Sequence, residues 1–64
     1  MLKVIEVMAE SDKSWEDAVQ KSVKFTSKTV KNIRSVYVQD FSASVEKDKL
    51  TSYRVNVKIS FEVE

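Results

Sequence analysis

Tyr53-Arg54-Val55-Asn56-Val57-Lys58-Ile59-Ser60-Phe61-Glu62-Val63-Glu64 closes the chain with apolar and polar side chains in unbroken alternation. Tyr53, Val55, Val57, Ile59, Phe61 and Val63 fall on one side. Arg54, Asn56, Lys58, Ser60, Glu62 and Glu64 fall on the other. A period of two over this length fits an extended strand with one packed face and one polar face. One strand implies a sheet, and a chain of 64 residues builds only a small one by itself.

Working back from this strand, Glu46-Lys47-Asp48-Lys49 reads as a hairpin turn, with Asp48 in the left-handed position that Gly usually fills and the last strand resuming from Thr51. Ile33 to Glu46 reads as the partner strand, but its parity changes along the way. Val36 and Val38 are apolar on even positions, whereas Phe41, Ala43 and Val45 are apolar on odd ones. A slip of one residue produces this, which predicts a bulge or sharp bend near Gln39–Asp40. The alternative is that both faces are buried, one against a helix and one against another subunit.

In the N-terminal half, Leu2 to Met8 is a short, largely apolar strand, followed by a polar, turn-like stretch from Ala9 to Lys13. Ser14-Trp15-Glu16-Asp17 has the form of a helix start. The Ser hydroxyl can accept from an orphan amide, and the two acids sit where the helix dipole favours negative charge. Trp15, Ala18, Val19, Ser22, Val23, Thr26 and Val30 then recur at helical spacing as one stripe, with Lys21, Lys24, Lys28 and Lys31 on the remaining turns. The helix is expected to end around Lys31–Asn32, Asn tolerating a left-handed terminus where Gly is absent. The element order is strand, helix, strand, strand: an α+β unit in which one amphipathic helix covers one face of a three-stranded antiparallel sheet.

Composition narrows the function. The chain has no Cys and no His, which excludes disulfides and zinc-type sites and leaves no Ser-His or Cys-His nucleophile. It has no Gly, so neither a phosphate loop nor a dinucleotide fingerprint is present. Eleven basic and ten acidic residues give a net charge of +1, which argues against a dedicated nucleic-acid binder. No apolar run approaches membrane-spanning length and no signal-peptide pattern opens the chain, so a soluble protein of the cytoplasm is expected. Residues 1–64 are expected to form a single domain at the lower edge of what folds alone, where apolar burial and chain ordering nearly cancel. With disulfides and zinc-type sites excluded, association with identical copies is the remaining source of stability.

These residues resemble the dodecin family. Ser14-Trp15-Glu16-Asp17-Ala18 is similar to the family's helix start, and Lys28-Thr29-Val30-Lys31-Asn32-Ile33 to the stretch closing the helix. Val45-Glu46 through Lys49 resembles the family's hairpin, and Tyr53-Arg54-Val55 with Lys58-Ile59-Ser60-Phe61 its last strand. The resemblance covers the whole chain in the same order. It implies a β-α-β-β subunit assembling into a hollow homododecamer, not an enzyme, that binds flavins (riboflavin, FMN or FAD) between subunits and sequesters them. The expected partners are therefore other copies of the chain and a small molecule, with no nucleic acid and no membrane.

The resemblance also places the ligand site, and there this chain departs from the pattern. Flavin-binding members carry a Trp that stacks on the ring at the start of the second strand and a Gln that bonds the ring edge after the Tyr of the last strand. The corresponding positions here are Ser35 and Arg54. Ser35 has no π-face, so a stacking contribution of about 1–3 kcal/mol is missing, by analogy with base–aromatic stacking. Arg54 only donates, whereas Gln both donates and accepts. Tyr37, two residues beyond Ser35 on the same face, is the candidate for a displaced aromatic surface. Lys58 pairs with Arg54 as a candidate contact for an anionic ligand such as a flavin nucleotide or a coenzyme A-like molecule, against the plainer reading of a solvated face. Trp15 is expected in the core and not as the stacking residue. A hard cation held by Glu62 and Glu64 with Asp40 or Glu46 of neighbouring copies would lack the usual ligand loop. Three classes stay open: a flavin-carrying shell, a related shell holding another anion or a cation, and a purely structural assembly.

Overall fold

In a computed structural model the described residues, 1–63, form β1 (Leu2–Ser11), α1 (Trp15–Thr26), β2 (Ile33–Glu46) and β3 (Lys49–Glu62). The sheet is antiparallel with spatial order β1-β3-β2, so the alternating strand is the central one. Ile5, Val7 and Ala9 lie opposite Ile59, Val57 and Val55. Those three β3 residues are buried under the helix together with Ala18.

The helix sits close to the sheet because its buried stripe is small: Ala18, Ser22 and Thr26, at successive turns, are all buried. Ser22 Oγ donates to the Val19 carbonyl at 2.6 Å, so its hydroxyl is satisfied without leaving the helix. At the N-terminus Asp17 N donates to Ser14 Oγ at 3.0 Å, the expected cap. The other end falls short of the expected Lys31–Asn32. Hydroxyls compete for the last carbonyls, Ser27 Oγ donating to Lys24 O at 2.7 Å, and the chain tightens as Thr29 N and Val30 N both donate to Thr26 O. Asn32 is nevertheless left-handed as expected, at φ 61°, and turns the chain into β2.

β1 runs on to Ser11, into the stretch read as a turn, which keeps only Asp12 and Lys13. Ala9 faces the core opposite Val55, and Ser11 is buried where its hydroxyl accepts from Lys13 N at 2.9 Å and donates to the Asp17 carboxylate. Glu10 and Ser11 look polar for a turn only until one of them is seen to serve the helix start. The bulge falls where the parity changes, between Val38 and Asp40. It lets Val36, Val38, Phe41 and Ala43 all lie opposite helix-side residues of β3, namely Ile59, Val57, Val55 and Tyr53. Two further register shifts occur, between Ile33 and Ser35 and between Ser44 and Val45.

The molecule measures 49 × 19 × 13 Å. A 12-residue helix rises only about 18 Å, while a 14-residue strand runs about 46 Å. The helix therefore cannot cover its own hairpin. Phe41 is 67% exposed although it faces the helix side, and Val45 and Leu50 lie open towards the hairpin tip.

Candidate functional site

The sheet face away from the helix has no cover in the single chain, and all four candidate residues stand on it. Ser35, opposite Ser60, shares a hydrogen bond between the two hydroxyls. Tyr37, opposite Lys58, is 66% exposed. Across β3, Lys58 is also opposite Glu6 of β1, so one row reads Glu6, Lys58, Tyr37. Opposite charges directly across an antiparallel pair are favourable without a close ion pair.

Arg54 occupies a different part of the face. It lies between Glu10 and Ser42 and borders a depression of about 230 Å³ shared with Met8, Asp40 and Asn56. Counting along β3 from Ser60, the partner of Ser35, to Arg54 gives six residues, about 20 Å. The structure thus brings Ser35, Tyr37 and Lys58 together and leaves Arg54 apart from them. Asn56 was not singled out from the sequence, and Asp40 only as the place of the bulge and as a possible cation ligand. The alternation of β3 already puts Asn56 beside Arg54, but Asp40 joins them only through the bulge.

Trp15 is on the other side of the sheet. Its indole ring meets Tyr53 and Phe41 edge-on at 4.9 and 5.5 Å and packs against the core, as expected of a core residue. Among the described residues no three metal-binding side chains gather, and no helix is long and apolar enough to cross a membrane. The Asp17 carboxyl has a structural role. The Ser11 hydroxyl, helped by Lys21 and Lys13, holds Asp17 below its ordinary value and outweighs the opposing effect of desolvation.

A short helix lying across one face of a long-hairpin antiparallel sheet, with the opposite face bare in the single chain and carrying the polar candidates, defines an α+β unit of β-α-β-β order. A sequence profile of the Dodecin family matches residues 1–64, and the chain belongs to that family. Solved dodecins share the fold across this entire chain. A point variant of the Thermus thermophilus dodecin superposes with a TM-score of 0.94 at 20% identity over 96% of its length. The dodecin of Streptomyces davaonensis gives 0.92 at 16% identity over 94% of its length. A calcium dodecin from Mycobacterium tuberculosis, described as calcium-chelating, gives 0.84 at 28% identity over 91% of its length. No curated protein sequence matches the chain.

Proposed function

We propose that residues 1–64 act as one domain of a hollow homododecameric shell in the cytoplasm, not an enzyme, which sequesters a flavin-type small molecule between subunits. The observation that carries this reading is the layout of the bare sheet face. Tyr37 stands two-thirds exposed beside Ser35 and Lys58, while along β3 Arg54 lies about 20 Å from the Ser35 position and about 13 Å from Lys58, so a site joining Ser35 and Arg54 needs a second copy. Tyr37 offers the ring surface that Ser35 lacks, and Arg54 and Lys58 offer donors and positive charge to a carbonyl edge or a phosphate. Membership of the dodecin family supports the assembly and the ligand class.

Native mass spectrometry of protein purified without added ligand, followed by riboflavin titration, tests the reading. Twelve subunits and quenching of riboflavin emission at micromolar protein are expected. An intact shell that leaves the emission unchanged eliminates the flavin reading, and a folded single subunit at all concentrations eliminates the shell.

The second reading is a shell of the same build that has lost flavin and holds another anion or a cation. The serine at position 35 favours it, as does the 28% identity to a dodecin described as calcium-chelating. A calcium titration with a thermal-shift readout separates the cation case: a rise in Tm with calcium supports it, and an unchanged Tm removes it.

A further inference from the structure

The helix side of the sheet keeps an apolar groove of about 310 Å³ that α1 does not fill. Trp15, Val19, Val38, Phe41 and Val55 line it, with Glu16 as the one charged residue of the wall. The Trp15 indole N–H is already taken by the Ser42 carbonyl, so no side-chain donor is left in the wall to orient a polar small molecule. What the groove fits is an aliphatic side chain.

The same chain carries an apolar pair without cover. Val45 and Leu50 lie opposite each other one rung before the hairpin turn and are 61% and 50% exposed. Four residues of strand, about 13 Å, separate Val45 from Phe41, so the pair cannot reach the groove of its own chain. The surface left open has the size of an interface. A compact monomer of 7.4 kDa exposes about 4,200 Å², whereas this chain exposes 4976 Å². The surplus, about 800 Å², equals one partner's share of a standard protein–protein interface. We propose that the groove between α1 and β2 receives the hairpin tip of a second copy of this chain, with Val45 and Leu50 of that copy packing on Phe41 and Val38. The proposal rests on the shell reading above and deepens it, adding a contact on the helix side of the sheet to the one on the bare face. Tip and groove are different patches of one chain, so the contact runs head to tail and closes as a ring.

The test is cysteine crosslinking of the assembled protein, in a chain that has no Cys of its own. Val38→Cys and Leu50→Cys are combined, oxidised mildly and run on a denaturing gel without reductant. Val38 lies opposite Val57, seven residues from Leu50 along β3, about 23 Å and far beyond disulfide reach, so any bridge joins two copies. Linked chains are expected from the double variant, and single chains from each variant alone. Links formed by Leu50→Cys alone would place two tips together and overturn the proposal. Twelve subunits by native mass spectrometry without links in the double variant overturn it too, and leave the shell reading standing. A folded single subunit of the wild type at all concentrations overturns both. Leu50 is half exposed in the single chain, so Leu50→Asp spares the subunit fold and is expected to raise the concentration of half-dissociation about tenfold. Should the cysteine pair prevent folding, Leu50→Asp decides, an unchanged dissociation concentration overturning the proposal.

Discussion

The indole N–H of Trp15 donates to the main-chain carbonyl of Ser42 at 2.9 Å, tying the first turn of α1 to β2 across a separation of 27 residues. The helix otherwise packs mainly on β1 and β3, so this bond and the edge-on contact with Phe41 tie it to β2. Trp15→Phe keeps most of the ring contact and loses the donor, and is expected to cost about 1 kcal/mol. Trp15→Ala also removes the ring from between Tyr53 and Phe41 and is expected to cost about 3–5 kcal/mol. Urea denaturation followed by far-UV circular dichroism at one fixed protein concentration measures both, since subunit association shifts apparent stability.

The turn between β2 and β3 is left-handed at both central residues, with φ of 52° at Lys47 and 65° at Asp48. A two-residue turn of this type favours Asn-Gly, because a Cβ in this region clashes with the following carbonyl. Lys47→Asn combined with Asp48→Gly is expected to stabilise the protein by about 1 kcal/mol, and Asp48→Val to destabilise it by about 1–2 kcal/mol. Thermal melting of the three proteins side by side checks the order; a Val variant melting with the wild type would contradict the strained turn.

Asp17 connects β1 to the helix start, and its depressed pKa gives the protein an acid-sensitive joint. The Ser11 hydroxyl donates to the Asp17 carboxylate at 2.5 Å, and Lys21 lies 3.6 Å away. Its folded pKa lies below the ordinary 3.8, so its contribution is fully present above that value and is lost as pH falls through the folded pKa. Asp17→Asn is therefore expected to be less stable than wild type at pH 6, with the gap narrowing below about pH 4. Midpoints of urea unfolding at several pH values measure the gap; a constant difference would show that Asp17 acts by shape and not by charge.

The parts of the fold legible in the sequence are those written in side-chain period or in special backbone positions. The alternation of β3, the parity slip that becomes the bulge between Val38 and Asp40, and the left-handed Asn32 and Asp48 all carry their signal locally. The helix end and the length of β1 depend on longer-range partners. Ser11 is a strand residue because Asp17 receives its hydroxyl, and the helix stops at Thr26 because Ser27 and Thr29 turn their hydroxyls back onto it. The candidate site was legible as a face and not as a cluster. Alternation puts Arg54, Asn56 and Lys58 on one side of β3, but only the register separates Arg54 from Ser35 and joins it to Asp40 and Met8.

Ser35 and Arg54 supply the sharpest test of the ligand site, because each departs from the pattern of flavin-binding dodecins in a way that can be reversed. Ser35 is exposed, and among the described residues its hydroxyl bonds only to Ser60, so a larger side chain at this place meets no core. Ser35→Trp adds a ring surface on the bare face, and Arg54→Gln adds an acceptor on its exposed part. Stacking of about 1–3 kcal/mol corresponds to roughly 5- to 150-fold in affinity. The double variant is expected to bind riboflavin at least about tenfold more tightly than the wild type by fluorescence titration. The single Ser35→Trp change should supply most of the gain, because stacking buries more ring area than one edge hydrogen bond. A double variant that assembles as the wild type does yet gains no affinity would mean that positions 35 and 54 do not meet around a ligand, and would remove the flavin site from the bare face.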